Sequence, residues 1–195
     1  MARRSDHTRT ELRQLALESA ESIVVEGGID ALSGRKVTNR IGYTIGTLYQ
    51  LFDGMDDLVE QMNARTLAAL YEHCRKGAEQ TNVADQLRAF GILFIEFVKA
   101  HPNQWDAIMS YRFKPGHSPS DAYNDEIMRL FGLMEAATRQ FYGPGEQADH
   151  GADMAVLWAS LTGIFGVANS ERQVAGLSLE QMLDRLIQMY LKARS

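Results

Sequence analysis

Helical periodicity constrains this chain more than any other feature of its sequence. Apolar residues recur at steps of three and four along almost the whole length, and no segment sustains the alternation of a β-strand. The four prolines, at positions 102, 115, 119 and 144, fall in or beside the breaks between these segments. The pattern therefore predicts an all-α fold of about nine helices, and it argues against a parallel α/β fold.

Capping residues and helix breakers indicate where the helices begin and end. Ser33, Thr44 and Asp53 stand where a side-chain oxygen can accept a hydrogen bond from the first helical turn. Ser178 is expected to form a capping box with Gln181. The expected helices cover residues 8–25, 33–40, 45–52, 53–80, 82–101, 103–111, 121–142, 147–169 and 179–193, with a loop over 112–120.

Composition bounds the class of protein. With 195 residues, 45% of them hydrophobic, the chain can bury one large core or two small ones without metal or disulfide support. A net charge of −5 argues against a uniformly basic protein that coats nucleic acid. The single cysteine, Cys74, excludes an intrachain disulfide and a cysteine-rich zinc module.

Neither the N-terminus nor the most apolar segment predicts export or membrane insertion. The N-terminus is charged and amphipathic, without the apolar segment of an export signal. The most apolar stretch, residues 90–98, contains Glu96 and is shorter than the roughly 20 residues that span a bilayer. We therefore expect a cytoplasmic protein with no membrane partner.

The residue constellations of an enzyme are also missing from the sequence. Its five histidines show no pairing at helical spacing and no clustering with acidic residues that would indicate a metal site. A phosphate-binding glycine loop or a nucleophile elbow would follow a strand, and no strand is predicted. We therefore expect no catalytic residues, no metal and no cofactor.

Residues 33–58 carry the most informative pattern in the chain. Two short helices separated by a turn at Gly42 are typical of a helix-turn-helix. The small core that these helices share is expected to contain Val37, Ile41, Leu48 and Phe52. The alternative is an ordinary three-helix packing unit without a DNA-binding role.

The second of these helices is expected to expose a polar face. Its outward residues are Thr44, Ile45, Thr47, Tyr49 and Gln50. Hydroxyl groups suit phosphate oxygens, an amide suits a base edge, and an aliphatic group suits a thymine methyl. Because the major groove admits one helix, this face is a candidate for reading DNA; a core position for Tyr49 is the alternative.

This segment is similar to the DNA-binding signature of TetR-type transcriptional regulators. The likeness lies in Ile41-Gly42-Tyr43-Thr44-Ile45-Gly46-Thr47-Leu48-Tyr49-Gln50-Leu51-Phe52 with Leu58 following, in the lead-in Gly28-Ile29-Asp30-Ala31-Leu32-Ser33, and in the helix before it. The family signature places a Gly-Val-Ser-x-Gly-Thr-Leu-Tyr-x-x-Phe run after an alanine- or glycine-ended helix. The resemblance covers roughly residues 10–60, and beyond them only the helical layout and the length match.

The resemblance implies an architecture and a function. It implies a helix-turn-helix DNA-binding domain over residues 1–54 and a helical ligand-binding and dimerisation domain over residues 55–195. It also implies a homodimer that binds a pseudo-palindromic operator DNA, and a small-molecule effector that changes the spacing of the two DNA-binding heads. Family precedent makes the protein a repressor.

The same resemblance assigns DNA contacts position by position. The residues expected at phosphates on the second helix are Thr44, Thr47 and Tyr49. Those expected near base edges are Ile45, Gly46 and Gln50. Those expected to meet the DNA backbone from the preceding helix are Ser33, Arg35 and Lys36, with Arg3 and Arg4 as a further arm. For Arg35 and Lys36 the alternative is simple solvation of a helix face, and for Arg3 and Arg4 it is a disordered tail.

The sequence departs from the family pattern just after the motif. The family often has a lysine three residues after the motif phenylalanine, whereas this chain has Met55, next to Asp53, Asp56 and Asp57. The missing charge removes one expected phosphate contact, and acidic side chains that faced DNA would oppose binding. The alternative function is therefore a helical ligand carrier or protein-interaction module with a degenerate DNA-binding head.

A second set of residues is a candidate for an effector pocket. Aromatic and methionine side chains are frequent in the middle helices, and flexible methionines among bulky rings suit an apolar or aromatic ligand. The candidate pocket residues are Phe94, Phe97, Trp105, Met109, Phe113, Phe131, Met134 and Trp158. Ordinary core packing is the alternative for each of them.

The last two helices are candidates for the dimer interface. Their apolar residues recur at steps of three and four, so two helices from each chain could form an intermolecular four-helix bundle. The residues in these stripes are Met154, Leu157, Leu161, Phe165, Leu183, Leu186, Ile187 and Tyr190. The alternative is that both stripes close the core of the single chain.

Overall fold

The computed structural model describes residues 7–168 and 176–194, and that part of the chain is built from α-helices without strands. The helices are α1 (Arg9–Gly27), α2 (Gly34–Ile41), α3 (Ile45–Leu51), α4 (Met55–Cys74), α5 (Val83–Ala100), α6 (Pro102–Ser110), α7 (Asp121–Thr138), α8 (Gln147–Ala168) and α9 (Leu179–Ala193). The all-α prediction is confirmed. None of the helices in these ranges is long and apolar enough to cross a membrane.

Side-chain caps fix most of the helix starts that the sequence predicts. Ser33 Oγ accepts a hydrogen bond from the Lys36 N–H at 3.3 Å, which begins α2. Thr44 Oγ1 likewise caps α3. Ser178 and Gln181 form the expected capping box at α9, with reciprocal bonds of 3.2 and 2.8 Å. These starts follow from local chemistry, because each cap satisfies backbone donors that the first turn leaves free.

The start of α4 differs from the prediction. Asp53 does not cap this helix; its backbone N–H donates to Asp57 Oδ2 at 2.9 Å. Gly54 follows with a φ of 130°, a conformation that side-chain-bearing residues rarely adopt, and the helix begins at Met55.

Two helices end earlier than their periodicity suggests. The α4 helix gives way to a 3-10 helix at Arg75–Glu79, and α7 gives way to one at Arg139–Phe141. Gly77 explains the first change, because a Cβ at this position would lie 3.0 Å from the backbone nitrogen of Phe90. The 3-10 segment therefore packs directly on the backbone of α5, a contact that periodicity along the chain does not reveal.

Contacts divide the chain into two compact units. The head unit comprises Met1–Ala68 and Ala100–Asp125, and the body unit comprises Ala69–Lys99 and Glu126–Ser195. The predicted domain boundary after residue 54 falls inside the head unit. The proposal that residues 1–54 and 55–195 are separate domains stays a prediction.

The helix α6 belongs to the head unit although 74 residues lie between it and α1. Asn103 Nδ2 donates to the Val25 carbonyl at 2.9 Å, at the end of α1. Asn63 Nδ2 of α4 donates to the Ala107 carbonyl at 3.3 Å. The core of this unit is formed by Leu12, Ala16, Leu17, Ala20, Ile23, Val24, Val37, Leu48, Leu51, Phe52, Leu58, Val59, Met62 and Ala107.

The core of the body unit is formed by α5, α8 and α9 together with α7. Phe94 is fully buried, and its ring lies 5.4 Å from that of Trp158 and 6.3 Å from that of Phe165. Gly91 allows α5 and α9 to approach closely, because a Cβ there would lie 2.6 Å from Leu183 Cδ1. A side chain at position 91 would require the Leu183 side chain to shift.

The stripes predicted for the dimer interface lie in this core. Six of their residues are buried in the single chain: Met154, Leu157, Leu161, Phe165, Leu183 and Ile187. Leu186 and Tyr190 are partly exposed. In the single chain these six residues therefore fill the chain's own core, and a dimer interface at the two stripes stays a prediction. The α8 helix is apolar or small on nearly every side, so its periodicity does not distinguish an inner from an outer stripe.

Candidate nucleic-acid interface

The turn between α2 and α3 holds the two helices in direct contact. Gly42 ends α2 in the left-handed conformation, with a φ of 76°. A Cβ at Gly34 would lie 2.7 Å from Ile45 Cδ1 and 3.1 Å from Leu48 Cδ2, so a side chain here would require the end of the Ile45 side chain to shift. Val37 and Leu48 are buried beneath the turn, as the helix-turn-helix prediction requires.

The residues on the outer face of α3 do not contribute to the core of the head unit. Leu48 and Leu51 point inward and are buried, whereas Thr44, Ile45, Gly46, Tyr49 and Gln50 are exposed. Tyr49 is 55% exposed, which excludes a core position for it. Thr47 is half-buried, and its hydroxyl lies 3.0 Å from that of Thr44. The candidate DNA-reading residues of α3 thus share one exposed surface.

The start of α2 lies beside this surface and carries uncompensated positive charge. Arg35 and Lys36 are exposed, and neither side chain forms a hydrogen bond or an ion pair with the described residues. Arg40, at the other end of α2, instead bonds Ser22 and Glu26 of α1. The hydroxyl of Ser33 is engaged as the α2 cap, and Arg3 and Arg4 lie outside the described residues.

Two arginines of α1 hold the end of α3, and the sequence analysis did not anticipate them. Arg9 Nη2 donates to the Gln50 carbonyl at 3.0 Å, and Arg13 Nη1 donates to the Leu51 carbonyl. The Arg13 guanidinium also lies 4.7 Å from the centre of the Phe52 ring. Because the last carbonyls of a helix lack partners within it, these cations satisfy them and complement the negative end of the helix dipole. Each arginine lies about 40 residues before the carbonyl that it bonds, and a contact over this distance leaves no recognisable pattern in the sequence.

The acidic residues after the motif are engaged within the chain. Asp56 is buried and accepts a 2.6 Å hydrogen bond from the Tyr111 hydroxyl. Burial and this hydrogen bond raise the pKa of Tyr111 above its ordinary value. Asp57 accepts from the Asp53 N–H and from Gln61, and Met55 packs against the head core. The acids therefore fasten the start of α4, while the missing lysine charge remains a departure from the family pattern.

A second buried carboxylate fastens the loop that follows α6. Glu60 accepts hydrogen bonds from the Ser120 N–H at 2.9 Å and from His117 Nε2 at 2.7 Å. Burial alone would raise the pKa of Glu60, but these hydrogen bonds outweigh it and the pKa lies below its ordinary value. The Phe113 ring stacks on that of His117, with centroids 4.7 Å apart.

The predicted effector residues are divided between the two units. Trp105, Met109 and Phe113 belong to the head unit, where Trp105 is buried and Met109 is 49% exposed. The other five belong to the body unit: Phe94, Phe97, Phe131, Met134 and Trp158. The sequence pattern merged two cores, because aromatic composition marks burial without marking which core a residue enters.

The body unit contains a cavity that only one of these residues lines. The cavity opens to solvent, has a volume of about 170 Å³ and is lined by Cys74, Ala78, Gln86, Leu87, Phe90, Leu133, Met134, Ala136 and Ala137. Met134 is the predicted residue among them. The rings of Phe94, Phe131 and Trp158 pack on one another instead, with centroid distances of 5.2 and 5.4 Å to the indole. Within the described part of the chain, no group of three His, Cys, Asp or Glu side chains could hold a metal ion.

Comparison with protein families and solved structures agrees with this geometry. The family model for bacterial regulatory proteins of the tetR family matches residues 16–62, which contain α2, α3 and the start of α4. The model for the tetracyclin repressor-like C-terminal domain matches residues 87–190, more than half of the chain. A search of functionally curated proteins found no match.

Several solved structures share the fold along almost the whole chain. A protein of unknown function from Rhodococcus sp. RHA1 aligns with a TM-score of 0.75 and 17% identity over 98% of both chains. A TetR transcriptional regulator from the same organism aligns with a TM-score of 0.68 and 16% identity, over 94% of this chain and 98% of that one. FadR from Bacillus subtilis, solved in complex with stearoyl-CoA, aligns with a TM-score of 0.61 and 12% identity, over 90% of this chain and 96% of that one.

These identities are low, so the structural likeness establishes a shared fold. The family is established by the two sequence matches, which cover the helix-turn-helix and the helical C-terminal region. Taken with the exposed face of α3, they show that the chain is a DNA-binding transcriptional regulator and belongs to the TetR family.

Proposed function

We propose that the protein is a repressor that binds a pseudo-palindromic operator as a homodimer and leaves it when a small molecule binds. The observation that carries the proposal is the outer face of α3, where five candidate DNA-reading residues are exposed while the inner face is held by Leu48 and Leu51. A helix with this division can enter a major groove without unfolding its own core. We expect it to act in the cytoplasm, where its operator lies.

The roles of the α3 residues follow from their chemistry. Thr44, Thr47 and Tyr49 present hydroxyls to phosphate oxygens, and Gln50 presents an amide to a base edge. Ile45 offers an aliphatic group to a thymine methyl. Gly46 has no crowding from within the chain, since a Cβ there would meet only Thr44 Oγ1 at 3.7 Å. We infer that its missing side chain serves the close approach of DNA.

The start of α2 supplies the electrostatic part of the interface. Arg35 and Lys36 have no partners in the described part of the chain, so both are available to phosphates, and the Ser33 turn lies next to them. Met55 stands where the family pattern often has a lysine. Each missing phosphate contact lowers the slope of log K against log salt by about 0.9. The operator complex is therefore expected to be less salt-dependent than that of a relative with lysine at this position.

The outer faces of α8 and α9 support dimerisation with a second copy. On α8 this face contains Ala152, Ala155, Val156, Ala159 and Gly163, all exposed in the single chain. On α9 it contains Met189, which is 61% exposed, and the partly exposed Met182 and Leu186. Apolar side chains on two packed helices favour burial in an interface, and small residues let partner helices approach closely. This surface replaces the buried stripes that the sequence suggested.

Release by an effector requires a difference in affinity between two states. In a dimer that binds successive major grooves, the two α3 helices must lie about 34–36 Å apart. A ligand that binds a state with another spacing more tightly shifts the population toward it and weakens operator binding. FadR, a structural relative, is solved with stearoyl-CoA, which supports a ligand site in this fold.

Selection from random duplex DNA tests the proposal. The purified protein, at low salt and without added ligand, is expected to enrich a palindrome with half-sites one helical turn apart. Failure to enrich any palindrome would contradict the proposal and favour the ligand-carrier or interaction-module alternative. That alternative drew on the acidic run after Phe52, and Asp56 and Asp57 are engaged within the head unit.

Two substitutions on α3 test the assigned roles. Tyr49→Phe removes one hydroxyl and is expected to weaken binding about equally for all operator variants, since a phosphate contact carries no sequence information. Gln50→Ala is expected to relax the choice at one base pair, at a cost of about 1–3 kcal/mol for the preferred base. A change of sequence preference in Tyr49→Phe alone would reverse the assignment.

A further inference from the structure

The outer face of α3 offers two side chains whose hydrogen-bonding groups are unused. Tyr49 and Gln50 are exposed, and neither the hydroxyl of the first nor the amide of the second bonds any of the described residues. Thr44 and Thr47 differ, because Thr44 Oγ1 accepts from the Thr47 N–H at 3.3 Å and the two hydroxyls lie 3.0 Å apart. A hydroxyl both donates and accepts, so it distinguishes poorly among bases. The amide of Gln50 is the one side-chain amide of α3.

The surface beside this amide is left open by Gly46, one helical turn earlier. Side chains of a helix lean toward its N-terminus and cover the position four residues before them. A Cβ at Gly46 would meet only Thr44 Oγ1 at 3.7 Å, so nothing from within the chain fills the place that Gln50 covers. The amide therefore has room to lie along the helix when the helix backbone comes close to the base edges.

The backbone of Gln50 is held from α1. Arg9 Nη2 donates to the Gln50 carbonyl at 3.0 Å, and Arg13 donates to the next carbonyl, that of the buried Leu51. A pair of hydrogen bonds to one base requires a single orientation of the amide plane. A fixed backbone lowers the entropy that this orientation costs, so Gln50 is suited to directional readout.

The amide of a glutamine is complementary to one base in the major groove. Its Nε2 donates and its Oε1 accepts, and adenine presents the N7 acceptor beside the N6 donor, so both amide atoms gain a partner. Guanine presents two acceptors, cytosine one donor and thymine one acceptor, so each of them leaves an amide atom unpaired. A polar atom that loses water without gaining a hydrogen bond costs free energy, which disfavours these three bases.

The helix α3 has no side chain suited to guanine. Guanine is read most often by arginine or lysine, because its O6 and N7 both accept from one cation. The segment Ile45–Leu51 contains neither residue type and no charged side chain. The two cations that contact this helix, Arg9 and Arg13, are engaged at its last carbonyls.

We propose that Gln50 reads adenine at one A·T pair of each operator half-site, with Nε2 donating to N7 and the N6 amino group donating to Oε1, and that α3 reads no guanine. This inference rests on the proposed function, because it presupposes an operator. In a symmetric dimer the pair occurs once in each half-site, related by the two-fold axis.

Operators with a modified base test the adenine contact. In the palindrome selected by the wild type, each adenine of one half-site is replaced in turn by 7-deazaadenine, which lacks N7 and still pairs with thymine. Fluorescence anisotropy is expected to show one position at which wild-type affinity falls about 5- to 150-fold, because Nε2 loses its acceptor. Gln50→Ala is expected to bind the normal and the modified duplex equally. The absence of a sensitive position, or an equal loss in Gln50→Ala, would overturn the proposal.

An exchange of base preference is a second test. Lysine donates to both guanine acceptors, so Gln50→Lys is expected to prefer G·C at the sensitive pair by about 5-fold or more. Asn39→Lys adds the same charge at an exposed position of α2 and is expected to keep the preference for adenine. Both positions are exposed, so urea unfolding of both variants is expected to match that of the wild type. An unchanged preference for adenine in Gln50→Lys would overturn the proposal.

Failure of the adenine contact is distinguishable from failure of the proposed function. If no palindrome is enriched, the proposed function falls, and the adenine contact falls with it. If a palindrome is enriched but no pair in it depends on Gln50, or the dependent pair is G·C, the proposed function stands and the adenine contact alone falls.

Discussion

At the scale of single residues, the glycines of the helix-turn-helix differ in the reason for their missing side chain. Gly34 permits close packing of α2 on α3, because a Cβ would lie 2.7 Å from Ile45 Cδ1. Gly42 supplies the left-handed conformation that ends α2. Neither close packing nor a left-handed conformation explains Gly46, since it lies on the exposed face of α3 with free space around it. Because Gly46 lies on the face of α3 that we assign to DNA, we infer that its missing side chain serves the close approach of DNA.

Gly46→Ala separates stability from DNA binding. Alanine is the better helix former by about 1 kcal/mol, so the free energy of unfolding is expected to stay the same or to rise. The added methyl stands where we place the DNA, and operator affinity is expected to fall about tenfold or more, which corresponds to at least 1.4 kcal/mol. Urea unfolding and a fluorescence anisotropy titration with the selected operator measure the two effects.

Gly132→Ala on α7 is the matched control, because a Cβ there also meets no atom within 4 Å. It is expected to stabilise the protein similarly and to leave operator affinity unchanged. Equal losses of affinity in both variants would contradict a direct contact at Gly46.

At the scale of elements, α3 is positioned from both ends. Its start is capped by Thr44, and its last carbonyls are bonded by Arg9 and Arg13 of α1. A helix of 7 residues is too short to be stable in isolation, so these contacts and the inward leucines determine its orientation. The position of the candidate DNA-reading face thus depends on two residues of α1.

Arg13→Met retains the apolar stem of the side chain and removes the guanidinium. The Leu51 carbonyl loses a charged donor, and we expect the free energy of unfolding to fall by about 1–3 kcal/mol. Operator affinity is expected to fall as well, because the end of α3 is no longer held. Arg35→Met is the comparison: it is expected to weaken operator binding while leaving the unfolding curve unchanged. Unchanged stability in Arg13→Met would show that the guanidinium does not position α3.

Glu60 makes the stability of the head unit depend on pH. Its pKa is lowered in the folded state, so its contribution is complete above the ordinary value of 4.5 and is lost as the pH falls from there through the lowered pKa. Urea unfolding of the wild type and of Glu60→Gln should therefore show a difference in stability that shrinks on acidification below about pH 4.5. Glu79→Gln, at an exposed position, is the control, and a difference that grows on acidification would contradict this assignment.

Elements with local signals were predictable from the sequence, and those defined by distant contacts were not. The α9 helix has a capping box at Ser178 and a one-sided apolar stripe, so its start and its apolar face follow from the sequence, whereas the partner of that face does not. The α8 helix is alanine- and glycine-rich and apolar on nearly every side, so its inner face follows only from packing. The placement of α6 depends on hydrogen bonds such as that from Asn103 to Val25, which join distant segments.

At the scale of the whole molecule, the division into a head and a body unit assigns the candidate sites to different parts of the chain. The DNA-reading surface belongs to the head unit, whereas the cavity and the proposed dimer surface belong to the body unit. The motif in α3 made the first of these predictable from the sequence. The cavity and the dimer surface could not be predicted from the sequence. Both depend on how the helices pack, which determines where space remains between them and which apolar side chains stay exposed.

The dimer surface predicts opposite outcomes for the two faces of α8. Val156→Glu and Met189→Glu place charges on outward positions that are 66% and 61% exposed, so the chain is expected to fold normally and to sediment as a monomer. Operator binding is expected to be lost with the dimer. Leu157→Ala, on the buried face, is expected to cost about 2–5 kcal/mol of stability instead.

Met128→Glu is the control for added charge, because Met128 is also 61% exposed but lies on α7. It is expected to remain dimeric. Dissociation of this variant, or dimers of unchanged stability in both Val156→Glu and Met189→Glu, would show that the interface lies elsewhere.

The burial of Cys74 has a practical consequence for spectroscopy. It is the only cysteine of the chain, it is 1% exposed, and its thiol stays protonated near neutral pH. Maleimide and methanethiosulfonate reagents attack thiolates in contact with solvent, so the native protein should remain unlabelled. A Glu18→Cys variant, at an exposed position of α1, would therefore carry one spin label per protomer, and Cys74 would not have to be replaced first. Distances between the two labels would then report how far apart the heads stand with and without a bound ligand.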